Sequence, residues 1–161
     1  MAVKNSELVA FFEDLAKKHR KINHSTESKH FYRMENEDFI KGVSGFKGYN
    51  LILEVMPIKY DGSNRDNSFK IREVAFIVVK SVTSVTKDAI NIAFDECETI
   101  MDDILSALNN ARAGFNSTAI SFDPETIEAM QVTDGKNFGV RCLVDVKSPH
   151  NFEMQTNNWE S

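Results

Sequence analysis

Four histidines (His19, His24, His30 and His150) and two cysteines (Cys97 and Cys142) have the most chemistry to offer. A helical zinc pair needs ligands four residues apart, so that both project from one face. The first three histidines are spaced by five and six, and no cysteine lies near them in the chain. A loop can gather them, but surface histidines are the expectation. General acid–base catalysis needs one carboxyl of a pair in an apolar pocket. Asp95, Glu96, Glu98, Asp102 and Asp103 instead read mostly as the solvated face of a helix. No serine stands in a nucleophile elbow, and no Walker or Rossmann glycine pattern occurs. Gly42, Gly45 and Gly48 follow no strand and open no helix, so they mark a loop. Asn116-Ser117-Thr118 and Asn23-His24-Ser25 match glycosylation acceptors, by chance in a chain with no secretion signal. The expectation is a protein that is not an enzyme, with no catalytic residues, no metal and no cofactor.

Composition narrows the class. A chain of 161 residues fits one domain, here 1–161, able to bury a core of its own. The net charge is −5, which argues against gripping nucleic acid by neutralising phosphates. An acidic wall does suit a passage through which DNA slides. Cys97 and Cys142 are 45 positions apart, in a predicted helix and a predicted strand, and read as buried free thiols. The opening MAVKNSELVAFFEDL carries acidic residues where a signal peptide needs an apolar stretch. No apolar run approaches the length of a membrane span, about 18 residues. The expected setting is a reducing cytoplasm.

The elements that must position these residues follow from hydrophobic period. Leu8, Phe11, Phe12, Leu15 and Ala16 share one face of a predicted helix over 6–21, with Ser6 as its cap. Glu13 and Asp14 precede Lys17 and Lys18 by one turn, the favourable order for ion pairs. The basic run Lys17–Lys21 then reads as cations at the negative end of the helix dipole, a nucleic-acid patch being the competing reading. Phe31, Tyr32 and Met34 predict a short strand, and 35–40 a helical turn or a strand edge. A strand over 50–60, with Pro57 forcing its second half to an edge or bulge, and one over 69–82 form a hairpin with a long polar tip at 61–67. Thr86 or Asp88 caps the principal helix, 87–112, whose wide apolar stripe is closed by Gly114. Strands over 118–122 and 127–132 are separated by a turn or helical start at Asp123-Pro124-Glu125. Asp134-Gly135 then turns the chain into a clean alternation from Phe138 to Lys147. Residues 148–161 read as an extended arm. The fold class expected is α+β: an antiparallel sheet packed against one long amphipathic helix, plus an N-terminal helix and an extended C-terminal arm.

Three stretches carry a resemblance: ELVAFFEDLAKKHRKINHS with KHFYRM, AFDECETIMDDIL, and FGVRCLVDVKSPHNF…NNW. With the order of elements, they resemble the tail-terminator, tail-completion and neck-ring proteins of tailed bacteriophages. The local text is also similar to small proteins of phages and prophages in Bacteroidetes hosts. The resemblance implies a virion protein, assembled in the host bacterial cytoplasm, that forms a homo-oligomeric ring (hexamer or dodecamer) at the head–tail junction. Its partners would be itself, neighbouring neck and tail proteins, and genomic DNA passing without sequence-specific binding; no membrane is implied. Phe11 and Phe12 on the first helix, Asn64 and Arg65 at the hairpin tip, and Phe152 and Trp159 on the arm are the subunit contacts expected. A small-molecule-binding or regulatory α+β domain, with a ligand between sheet and long helix, is the alternative.

Overall fold

The computed structural model describes residues 3–34, 43–54, 56–62, 68–111, 121–132 and 135–150, with the side chains of Val43 and of residues 121–125 left aside. Helix α1 spans Asn5–Lys18, and strand β1 is Phe31–Arg33. After a 3-10 turn at Val43–Gly45 come β2 (Tyr49–Leu53), β3 (Ile58–Asp61) and β4 (Phe69–Ser81). Helix α2 runs Lys87–Asn110, followed by β5 (Ser121–Val132) and β6 (Asn137–Pro149). The strands form one six-stranded sheet in the order β1-β2-β4-β6-β5, with β3 also paired to β4. The fold is α+β as expected, but the sheet is mixed, because β1 pairs parallel to β2 while all other pairs are antiparallel.

Both helices cover one face of this sheet. The pleat sends alternate residues to opposite faces, and Leu51, Leu53, Val74, Phe76, Val78, Val140, Cys142, Val144 and Val146 all enter the cluster that holds the helices. From α1 come Leu8, Phe12 and Ala16, and from α2 come Cys97, Ile100, Met101, Ile104 and Leu108. These are the positions of the two apolar stripes. On the far face Tyr32, Ile52, Ile77, Val79 and Val132 gather around Phe46. The centre of β4 is therefore buried on both sides, which is why its residues from Val74 to Val79 are all apolar.

Local chemistry departs from several expectations. The cap of α1 is Lys4, one residue before the helix, and Glu7 closes the first turn by accepting from the Lys4 amide at 2.7 Å; Ser6 already lies inside the helix. Glu13–Lys17 and Asp14–Lys18 pair at 2.6 Å as predicted. The single strand expected over 50–60 is two strands, β2 and β3, both on the same edge of β4. Pro57 falls in the gap between them, where its missing N–H interrupts no ladder. Thr86, not Asp88, caps α2 by accepting from Ala89 N–H at 3.2 Å. The helix ends at Asn110 with Ala111 as its cap; Gly114 lies outside the described residues.

β5 joins what the sequence divides. It is one strand across Pro124, with a register shift between Pro124 and Thr126. An edge strand tolerates proline on its open side, and an extra residue absorbs the mismatch. The β5–β6 hairpin turns through Gly135 at φ +79, as expected of that glycine, while Asp134 is not described. β6 continues to Pro149, so Ser148 and Pro149 belong to the sheet and not to an arm. His150 is tied back as well, its amide donating to Ser68 carbonyl at 2.9 Å. The remainder of the arm, 151–161, lies outside the described residues, as do 35–40 and the hairpin tip at 63–67.

Candidate interaction surfaces

Among the described residues three polar clusters each draw on separate elements. Tyr49 opens β2 opposite Lys80 of β4, and the Lys80 ammonium pairs with Glu96 of α2. Two lysines stand over the Tyr49 ring, Lys80 at 5.3 Å and Lys21 at 5.6 Å from its centre. The hydrogen bond from Lys80 holds the Glu96 carboxyl below its ordinary range, and the same contact raises the lysine. Burial, then Glu96, pushes the Tyr49 phenol up. An acid–base catalyst needs a pKa drawn toward neutrality. Here all three move away from it, which fixes the charges and makes the trio a strut between sheet and helix.

Histidines form the second cluster, half-buried rather than fully exposed. After α1 the chain turns back at Asn23 (φ +50), and the His24 amide donates to Ala16 carbonyl at 3.0 Å, closing the helix end. This lays His24 against the helix, with its side chain 11% exposed and 4.0 Å from Glu13. Its Nδ1 accepts from the His30 amide at 3.1 Å, and His30 in turn lies 2.8 Å from Ser28 Oγ and 3.1 Å from the buried Asn50. His19 reaches Asp103 of α2 at 3.2 Å, linking the two helices. The loop thus brings His24 and His30 together although their spacing suits no helix face. Among the described residues no group of three or more His, Cys, Asp or Glu is placed to hold a metal ion.

Burial lowers the His24 pKa, with Glu13 opposing and Lys17 reinforcing the shift. A group depressed in the folded state favours folding above its unfolded pKa, and that contribution is lost as pH falls. Stability is therefore expected to decline between about pH 7 and pH 5. Urea melts across that window should be flatter for His24→Gln; an identical slope would contradict the assignment.

The third cluster lies on the far face. Arg141 of β6 grips Glu54 with both arms of its guanidinium, Nε at 2.6 Å and Nη2 at 3.0 Å, reaching across β4. Such a bidentate fork fixes geometry as well as charge. The cysteines are free and buried, Cys97 beside the Lys80–Glu96 pair and Cys142 next to Arg141. Burial pushes the Cys97 thiol up to about 12 and the Cys142 thiol up to about 11. Only the thiolate reacts, so at about pH 8 a thiol reagent should label neither in the folded chain and both in urea. Rapid labelling without denaturant would contradict this burial.

The residues expected to touch neighbours separate. Phe12 is fully enclosed in the core of its own chain, its ring 4.9 Å from that of Phe76, which leaves no surface for a partner. Phe11 is half-buried at the edge of the same cluster, edge-on to Phe12 at 5.8 Å. Asn64, Arg65, Phe152 and Trp159 lie outside the described residues. Among the described residues the exposed large apolar side chains are others: Ile58 and Tyr60 on β3, Val85 just before α2, Ile92 within it, and Ile127 on β5. Single apolar residues of this kind are not conspicuous in a sequence, because exposure depends on which strand becomes an edge. No helix among the described residues is long and apolar enough to cross a membrane. A scan against protein-family models finds no match, and a search of curated proteins finds none either.

Proposed function

We propose that this chain is a structural virion protein whose copies assemble into a ring at the head–tail junction of a tailed bacteriophage, as a tail terminator or neck ring. One observation carries the assembly role. The conspicuous ionisable side chains are spent on internal struts, while edge strands on both sides of the sheet present exposed apolar side chains. A protein that works by touching copies of itself needs such edges and needs no titrating group near neutrality. The place at the head–tail junction rests on the resemblance in element order and local text. A net charge of −5 suits a lumen through which DNA slides without being held.

The alternative, a small-molecule-binding domain, has surface depressions in its favour. A depression of about 220 Å³ lies between α1 and β1, bordered by Glu13, His24, Lys29 and Arg33. It is smaller than the usual ligand pocket of about 300–1,000 Å³; two other shallow depressions, one of about 330 Å³ between the end of α1 and α2 and one of about 320 Å³ where the end of β4 meets the start of α2, reach only the lower end of that range. A chain that stays monomeric, and whose melting temperature rises with a carboxylate or phosphate ligand, would favour this alternative.

The C-terminal residues give a separate test of the ring. β6 runs to Pro149, and His150 is tied to Ser68. Removing residues 151–161 is expected to leave the melting temperature nearly unchanged while weakening assembly. Loss of the folded state would instead make those residues part of the monomer core.

A further inference from the structure

Among the described residues two edges of the sheet are open, and they complement each other. β3 pairs only with β4 among the described strands, and its four residues Ile58–Asp61 are all exposed. On the opposite side β5 ends the strand order, and residues 126–129 are exposed in succession. Exposed edges are normally blunted by charge, proline or a bulge. Pro124 and the adjacent register shift do this for the first part of β5. The remainder carries Ile127 at 44% exposure, and β3 carries Ile58 at 42% and Tyr60 at 52%.

The pleat assigns each side chain to a face. Ile58 and Tyr60 are in register with Arg72 and Lys70, and Ile127 and Ala129 with Cys142 and Val140. All four therefore stand on the helix-bearing side. Lys59 and Glu128 stand on the other side, in register with Ile71 and Arg141. Strand directions also agree. β3, β4, β6 and β5 alternate in direction, so β5 of one copy beside β3 of a like-oriented copy is antiparallel.

We infer that copies of this chain join head to tail by adding β3 of one to β5 of the next, with Lys59 opposite Glu128. This rests on the assembly role proposed above and names the surface through which it acts. Tyr60 then meets Ile127 and Ile58 meets Ala129 on one face, while an opposite-charge pair forms on the other. Lys59 already lies against Glu73, with 63% of its side chain exposed. Its ammonium has three donors and can serve a carboxylate on either side. The stagger is compatible with closure. Lys59 is level with Ile71 and Glu128 with Ile77, six residues further along β4. That is about 20 Å along the strands for every four strands, about 19 Å, across them. The strands would incline by about 45°, near the tilt of closed sheets. Because the two surfaces differ, the contact is heterologous, the kind that forms a ring when the rotation between copies closes and a filament when it does not.

Sedimentation velocity on the full chain and four variants tests the inference, with thermal melts to check that each is folded. Glu128→Lys and Lys59→Glu should each weaken association at least tenfold, and the double swap should restore it. A wild-type oligomer unaffected by either single change overturns the edge contact and leaves ring assembly standing. Weakening by Glu128→Lys and Ile127→Arg, but not by Lys59→Glu, would mean that β5 pairs with β5 across a two-fold axis and overturns the head-to-tail arrangement. A wild-type chain that remains monomeric overturns the assembly role itself.

Discussion

Phe12→Ala is expected to lower stability by about 3–5 kcal/mol, the usual cost of emptying a large aromatic site in a core. Phe12 is fully buried between α1 and the sheet, against Phe76. Its removal leaves a cavity lined by β-sheet side chains that cannot follow it. For a chain of this length the melting temperature should fall by about 10 °C or more. Phe11→Ala, at the half-buried rim, should cost less than half as much. The pair separates two roles that the sequence alone leaves together on one helix. If Phe12→Ala left the melt unchanged and reduced only the oligomer mass, Phe12 would be a subunit contact after all and the described packing of α1 would be wrong.

Gly139→Ala is the second large effect. Gly139 pairs with Val79 where β6 crosses β4, and a Cβ there would lie 1.9 Å from the Val78 carbonyl oxygen and 2.7 Å from Val79 Cα. No side-chain movement relieves a clash with backbone, so the two central strands would have to part. The cost should reach the upper end for overpacking, about 3 kcal/mol or more. Little folded protein should accumulate, and what does should melt well below the parent. Gly45→Ala, where a Cβ meets nothing within 4 Å, is the matched control and should be nearly neutral. Equal melts for the two variants would contradict the close approach of β4 and β6.

Much of the architecture was legible because long elements repeat their pattern many times. The stripe from Ile90 to Leu108 and the alternation from Phe138 to Val146 each sample one period over several turns or pleats, and both sit where that period places them. The failures share a physical cause, which is that partners distant in sequence decide them. Three residues of β1 carry no directional information, and their parallel pairing is set by where β2 already lies. Pro124 reads as a breaker, yet an edge position makes its missing N–H harmless. Ser6 is a better intrinsic cap than Lys4, but Glu7 supplies the reciprocal acceptor one turn later.

The polar clusters were less legible still. Tyr49, Lys80 and Glu96 come from three elements, and nothing in their spacing announces a meeting. His24 looked like a surface residue because the reversal at Asn23, which folds it onto α1, depends on a carbonyl at Ala16. The candidate contact residues divide for the same reason. Which aromatic faces the core is a matter of about 100° on a helix, and Phe11 and Phe12 are neighbours. Ile58, Tyr60 and Ile127 became visible only once β3 and β5 were seen to be edges.

Assembly is the central claim, and the mass of the purified full chain in solution tests it most directly, with negative-stain images of the same sample. The prediction is a discrete oligomer, a hexamer or dodecamer, appearing as closed rings with an open centre. A single species at the 18.3 kDa mass of one chain, persisting at high concentration and showing no rings, would contradict it.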